Sequence, residues 1–311
     1  MFRLISGIFL GWSLGANDSA NVFGTAVASR VIKFSVAATI TAIFVIAGSV
    51  LQGAEGMHTL GGLTAQDLNS AFISSLAAAL IVTVMTYLSL PVSTSQAVVG
   101  AILGIGIALQ QNINWGGLKK VVLCWVGTPI GAMLISFLLY KLFQFILGRL
   151  KLNILSLDTP IRWGLILSGA YGAYALGANN VANVTGVFAG AGLITVQWAT
   201  IIGGISIAVG AVTYSKRVML TVGGGLVKLD AFSAFVAVLS EAITVHIYAK
   251  VGVPVSTSQA IVGAVLGIGM VLGMQTINNR TLLNIVLGWL STPLISGIVA
   301  FVIMKIYAIF F

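Results

Sequence analysis

The chain has 311 residues, of which 59% are hydrophobic and only 7% charged, with a mean hydropathy of +1.10 and a net charge of +9. Soluble domains carry about 25% charged residues, so this chain could not cover a water-facing surface, and lipid is its solvent. With 1 Cys and 2 distant His, the sequence holds no plausible nucleophile–base set, no disulfide framework and no P-loop, which makes an enzyme the weakest reading; the positive charge sits at segment ends rather than on a nucleic-acid face.

Uninterrupted apolar stretches at Phe34–Gln52, Ala71–Leu90, Val121–Leu147 and Leu282–Phe311 reach or approach the ~20 residues that cross a bilayer as helix. No short alternating strands suggest a barrel, so the expected class is an all-α polytopic membrane protein, multi-pass in the cell (plasma or inner) membrane. In chain order, the first half predicts apolar segments over 3–29, 34–52, 70–89, 91–110 and 121–147. The first of these is not a removable signal peptide, because Asn17, Asp18 and Asn21 lie in its middle and no cleavage-type sequence follows. After a short polar linker the second half predicts 163–189, 194–214, 231–249, 253–273 and 281–309.

The two halves are copies. Gly15-Ala-Asn-Asp-Ser-Ala-Asn-Val-Phe-Gly24 matches Gly177-Ala-Asn-Asn-Val-Ala-Asn-Val-Thr-Gly186 at seven of ten positions. Pro91 to Gly106 matches Pro254 to Gly269 at fourteen of sixteen, and Trp125 with Thr128-Pro129 matches Trp289 with Thr292-Pro293. Order is kept throughout, and counterparts stand 162–164 residues apart. We therefore read residues 1–152 as a first repeat, 153–160 as a linker and 161–311 as a second repeat.

Loop charge sets the relative orientation. The turn after the first segment carries Arg30 and Lys33, whereas its counterpart Ala189–Val196 carries no charge. The loop Gly53–Asn69 has Glu55, His58 and Asp67 but no Lys or Arg, whereas its counterpart holds Lys216, Arg217 and Lys228. Opposite bias in equivalent loops predicts an inverted-topology duplication, with Arg149, Lys151 and Arg162 inside, both termini outside, and Lys119 and Lys120 against the trend. The third and fourth segments of each half then form a helical hairpin, expected to be re-entrant with its Ser-Thr-Ser tip inside the protein; the alternative is two full spans joined by a surface turn.

Two motifs carry chemistry. A Pro-Val-Ser-Thr-Ser-Gln tip opening a helix presents unpaired N–H groups, the positive end of the helix dipole and hydroxyl donors, which together bind oxyanions without Lys or Arg. Taken once, it would read as an ordinary N-cap. Duplicated in inverted halves, it predicts two helix N-termini meeting on one tetrahedral anion, held by Ser93, Thr94, Ser95, Gln96, Ser256, Thr257, Ser258 and Gln259. The Gly-Ala-Asn-(Asp/Asn)-x-x-Asn motif places amides and a carboxylate within apolar helices, where Asp costs about 2.5–3.5 kcal/mol on insertion scales. Asn17, Asp18, Asn21, Asn179, Asn180 and Asn183 are the candidate cation ligands, with Asp18 and Asn180 also beside the anion; polar contacts between helices are the plainer alternative. Gly15 and Gly177 predict local unwinding, that is, a broken first helix in each repeat. Asp18 is matched by Asn180, so one carboxylate must be neutralised before an anion is tolerated.

Glu241 and His246 read either as a gating or proton group or as structural pairs. Thr59 and Thr221 are matched positions expected to border the site, and the 37 glycines point to close helix packing.

These motifs resemble the inorganic phosphate transporter (PiT) family, that of solute carrier family 20, over nearly the whole chain. The resemblance implies symport of inorganic phosphate with Na⁺ or H⁺, no further cofactor, often a homodimer, and Asp18, Asn21, Asn180, Asn183 and both Ser-Thr-Ser tips as site residues. Three departures stand out: Asn180 replaces the family's second Asp, Gln96 and Gln259 stand where many relatives carry His (which leans towards Na⁺), and the large hydrophilic loop of some members is absent. Sulfate is the alternative cargo, and an anion channel the alternative class.

Overall fold

The computed structural model describes residues 2–88, 92–150, 154–225, 229–273 and 279–310; Pro91, Lys151, Lys228 and residue 153 of the linker lie outside them. In hydrocarbon a chain must satisfy its backbone internally, and the described residues form twelve α-helices behind a short 3-10 turn at Phe2–Leu4. The first repeat holds α1 (Ile5–Ala28), α2 (Phe34–Gln52), α3 (Glu55–Gly61), α4 (Leu68–Tyr87), α5 (Thr94–Ala108) and α6 (Trp115–Leu150). The second holds α7 (Ile154–Gly190), α8 (Val196–Thr213), α9 (Ser215–Gly225), α10 (Ala231–Val251), α11 (Thr257–Leu272) and α12 (Asn279–Phe310).

Six of these, α2, α4, α6, α8, α10 and α12, are long and apolar enough to cross a membrane. The equally long α1 and α7 carry the Asn-rich motifs. Leu123, Leu134 and Leu138 on α6 and Leu287, Leu290 and Leu294 on α12 are exposed, while Asn17, Asp18, Asn21 and the Ser-Thr-Ser tips are buried. An apolar outside around a polar interior is the arrangement lipid requires: the chain is a multi-pass membrane protein.

The repeats interlock. α1 packs on α8 and α9 as α7 packs on α2 and α3; α5 packs on α12 as α11 packs on α6. The first two helices of each repeat and the short hairpin legs thus pack chiefly on the other copy, whereas α4 and α10 pack chiefly on α1 and α7 of their own. Glycines make these crossings possible. A methyl group on Gly15 would fall on the Ile207 carbonyl oxygen, and one on Gly210 on that of Trp12. The counterparts repeat this at the other crossing, Gly177 against Val45 and Gly48 against Tyr174. Gly100 and Gly263 do the same against Pro293 and Pro129. Backbones this close leave no space for a Cβ.

Those contacts correct the expectation of a broken first helix. α1 and α7 run as continuous α-helix through Gly15 and Gly177. The glycines serve backbone approach, which needs a regular helix, rather than unwinding. Two further differences concern supposed loops. Part of Gly53–Asn69 forms α3, whose Met57 and Leu60 are buried, and its counterpart forms α9, whose Val218 and Met219 are buried. A helix of 7 or 11 residues is at or below the length over which apolar periodicity is read along a sequence, and both are docked on long helices of the other repeat, α3 on α7 and α9 on α1. Residues 154–160 of the linker are the opening turns of α7.

The hairpin legs differ in length. α4 has 20 residues and α10 has 21, whereas α5 has 15 and α11 has 16. At 1.5 Å per residue the latter two reach only about 22–24 Å, short of a hydrocarbon core of about 30 Å. Asp67 caps α4 through the Ser70 amide at 2.7 Å, and Asp230 caps α10 through the Ser233 amide at 2.7 Å, so both long legs start in the same way.

Candidate functional site

Both short helices begin inside the protein. Ser93 and Ser256 are their N-caps, each in extended conformation, accepting from the amides of Gln96 at 3.4 Å and Gln259 at 3.2 Å. Capping two residues this way leaves the amides of the first turn, Thr94 and Ser95 on α5 and Thr257 and Ser258 on α11, without intrahelical acceptors. Every one of these residues is buried.

The two tips are clasped to each other. The Ser95 hydroxyl donates to the Val255 carbonyl at 2.9 Å, and the Ser258 hydroxyl donates to the Val92 carbonyl at 3.0 Å. This pair of bonds joins the two repeats reciprocally. α1 and α7 then hold the clasp. Asn179 closes a two-bond ring on Val255, accepting from its N–H at 3.0 Å and donating to its C=O at 2.8 Å. Asn17 accepts from the Val92 amide at 3.4 Å and donates to Thr86 at 3.0 Å. One turn further on, Asn21 reaches the opposite tip, donating to Thr257 at 3.1 Å and Ser258 at 3.2 Å. Asn183 mirrors it, donating to Ser95 at 2.9 Å and also to Asn180 Oδ1 at 2.7 Å. The first Asn of each motif therefore grips its own repeat's tip, and the last grips the other repeat's. The Thr257 hydroxyl stands within hydrogen-bonding reach of the Asp18 carboxylate.

All fourteen sequence-predicted site residues are thus buried in one region, but their hydrogen bonds divide the labour. Ser95 and Ser258 commit their protons to the clasp, and Ser93 and Ser256 serve as caps. What has no protein partner is a mixed set: Asp18 Oδ1, Asn183 Oδ1, Gln96 Oε1 and Gln259 Oε1 as acceptors, Asn180 Nδ2 as a donor, and Thr94 Oγ1 as either. Buried polar atoms in such number call for partners from outside the protein, whether water, an ion or a ligand. The donors, with the first-turn amides of α5 and α11, suit an oxyanion; the oxygens suit a small hard cation. Among the described residues no Lys or Arg is buried, and Asp18 and Glu241 are the only buried ionised-type side chains.

Two expected neighbours lie elsewhere. The Thr59 hydroxyl binds the Gly252 carbonyl, and that of Thr221 binds its own helix at Arg217 on an exposed face. Neither hydrogen-bonds to the clasp residues themselves. Sequence reading did not foresee the role of Asn17 and Asn179 as tip holders, because a contact with backbone two segments away leaves no local pattern.

The model of the phosphate transporter family matches this chain twice, over residues 14–157 and 156–300. A candidate phosphate permease of Methanocaldococcus jannaschii is 34% identical over 303 residues, covering 97% of this chain and 96% of its own. A sulfate permease of Bacillus subtilis is 28% identical over 312 residues, covering 98% and 87%. A solved structure described as "The sodium-dependent phosphate transporter" superposes with a TM-score of 0.87 at 25% identity, over 100% of both chains.

Proposed function

The chain belongs to the phosphate transporter family, and from that membership we propose that it carries inorganic phosphate across the cell membrane by cation-coupled symport, with Na⁺ as the coupling ion. The two repeats act as inverted halves of an alternating-access device, α4–α5 and α10–α11 being re-entrant hairpins; the short reach of α5 and α11 supports this reading.

One observation carries the proposal: two helix N-termini clasped tip to tip in a buried site whose adjacent carboxylate, Asp18, has an unpaired oxygen. The amides, Thr94 and Asn180 offer hydrogen bonds to a tetrahedral anion. Asp18 opposes that anion until a cation binds it, which links the two ions thermodynamically. A permease that let the anion in alone would place two like charges side by side at low dielectric.

The sulfate permease relative favours one second reading, sulfate as cargo. Protonation separates the two. Phosphate near neutral pH carries a proton and can donate to Asp18 Oδ1; sulfate is acceptor-only. Proteoliposome uptake of labelled phosphate, with and without an inward Na⁺ gradient and with sulfate as competitor, tests the proposal. We expect Na⁺-stimulated phosphate uptake that excess sulfate inhibits weakly. Robust sulfate uptake without phosphate uptake would overturn the cargo, and conduction indifferent to any cation gradient would overturn the symport.

Thr94 supplies a finer test, since its hydroxyl is the tip hydroxyl without a protein partner. Thr94→Val keeps the shape and removes the donor. The half-saturation concentration for phosphate should rise about tenfold, in line with the loss of one hydrogen bond to a charged group, with little change in thermal stability.

A further inference from the structure

We propose that Glu241 is the carboxylate ligand of a second monovalent-cation site, placed one helical turn from Asp18 between α1, α7 and α10. The inference rests on the Na⁺-coupling reading above and extends it to a residue outside both duplicated motifs.

Glu241 is completely buried, and neither carboxylate oxygen has a protein partner. Its surroundings are well defined. A methyl placed on Gly172 of α7 would lie 3.3 Å from Glu241 Oε2 and 3.1 Å from Val22 Cγ1, so the carboxylate and Val22 of α1 both lie against Gly172. Val22 is four residues beyond Asp18, one turn along the same face, and the two carboxylates are within electrostatic reach of each other.

A structural carboxylate buried in a protein is paired or hydrogen-bonded. Glu241 is neither, and the nearby polar groups are committed elsewhere. His246 is bonded at Nδ1 to the Tyr171 hydroxyl at 2.7 Å and at Nε2 to Gln52 Oε1 at 2.7 Å, an arrangement that a neutral imidazole satisfies in full. Ser240 and Thr244 donate to their own helix. No buried Lys or Arg is present among the described residues. Whenever Glu241 is ionised, its compensating charge therefore comes from outside the described protein.

The fold itself does not require the carboxylate. The α4 and α10 caps, Asp67 and Asp230, and the tips that follow are all 163 residues apart, so Glu241 corresponds to Ala78, buried in the same place in α4. The same packing is built in the first repeat by a methyl group. Both buried carboxylates are thus departures from the internal symmetry, Asp18 against Asn180 and Glu241 against Ala78, and they converge on one flank of the site. An intramembrane carboxylate with no resident counter-charge marks an ion pathway, and hard carboxylate oxygen suits Na⁺.

The test uses purified full-length protein in proteoliposomes and in detergent. Glu241→Gln keeps the shape, Glu241→Ala restores the residue of the first repeat, and Glu241→Asp keeps the charge. Wild-type uptake should rise with Na⁺ more steeply than for a single ion, and in Glu241→Gln and Glu241→Ala the Hill coefficient for Na⁺ should fall by about one. Bound labelled Na⁺ per protein should fall in parallel, and the Na⁺-dependent rise in melting temperature should shrink. Glu241→Asp should retain the steepness at altered affinity. Removing an unpaired buried charge does not threaten folding, which the melting temperature without Na⁺ verifies.

Unchanged Na⁺ steepness and stoichiometry in Glu241→Gln overturn the assignment. Unchanged Na⁺ dependence with a lost pH dependence overturns it too, in favour of a proton. Wild-type uptake indifferent to Na⁺ would overturn the coupling reading itself, a failure visible before any variant is compared.

Discussion

Asp18→Asn is expected to abolish cation-driven phosphate uptake, by about 100-fold or more at low Na⁺, the upper range of a coupling free energy between two bound ions, while leaving the protein folded. The second repeat shows that the fold accepts this side chain, since Asn180 occupies the matching place. An Asn at position 18 keeps an oxygen for Thr257 and removes the charge. Lowering the number of uncompensated buried charges stabilises, or leaves unchanged, a membrane protein in the absence of Na⁺. The melting temperature without Na⁺ should therefore stay level or rise, and its increase on adding Na⁺ should be lost. Phosphate binding without Na⁺ should improve, because the opposing charge is gone. Near-normal Na⁺-driven uptake in Asp18→Asn would refute the role given to this residue.

Gly177→Val should produce the largest loss of folded protein among single glycine changes on α7. The Cβ position falls on the Val45 carbonyl oxygen, so α2 and α7 must separate. Overpacking of this kind costs about 1–3 kcal/mol where side chains can yield, and here the neighbour is backbone, which cannot. The displaced segment carries Asn179 and Asn183, which hold the second and the first tip. We expect failure to give a monodisperse peak on size exclusion, or a melting temperature several degrees lower with no uptake. Gly148→Ala is the control. It lies on α6 with nothing within 4 Å of the added methyl, and should be neutral or slightly stabilising, as Ala is the better helix former. A well-folded, active Gly177→Val protein would restore the view that this glycine serves flexibility.

The unbroken helices show where local reading misleads. Gly inside a polar motif within an apolar helix has two physical uses, freeing the backbone or admitting another backbone. Only the position of Val45 and Ile207 across the crossing tells them apart. The same holds for the tip hydroxyls. Ser93, Thr94 and Ser95 are adjacent and chemically alike, yet they became a cap, an unpartnered hydroxyl and one half of a clasp, because each points at a different element. Glu241 was visible as an intramembrane carboxylate, but its solitude was not: His246 could as well have been its partner until Tyr171 and Gln52 took both imidazole nitrogens.

The sequence by itself determined the membrane class, the twofold duplication, the family and the set of polar residues that converge on one site. Those follow from composition, periodicity and self-similarity, which are properties of the chain read along its length. Only the tertiary structure decided that the two tips are clasped, that the Asn motifs hold them from opposite repeats, that α3 and α9 are helices, and that two carboxylates stand without counter-charge among the described residues. Each of these depends on which lone pair or proton meets which partner from a segment up to 237 residues away, and a hydrogen bond across that distance leaves no trace in local order.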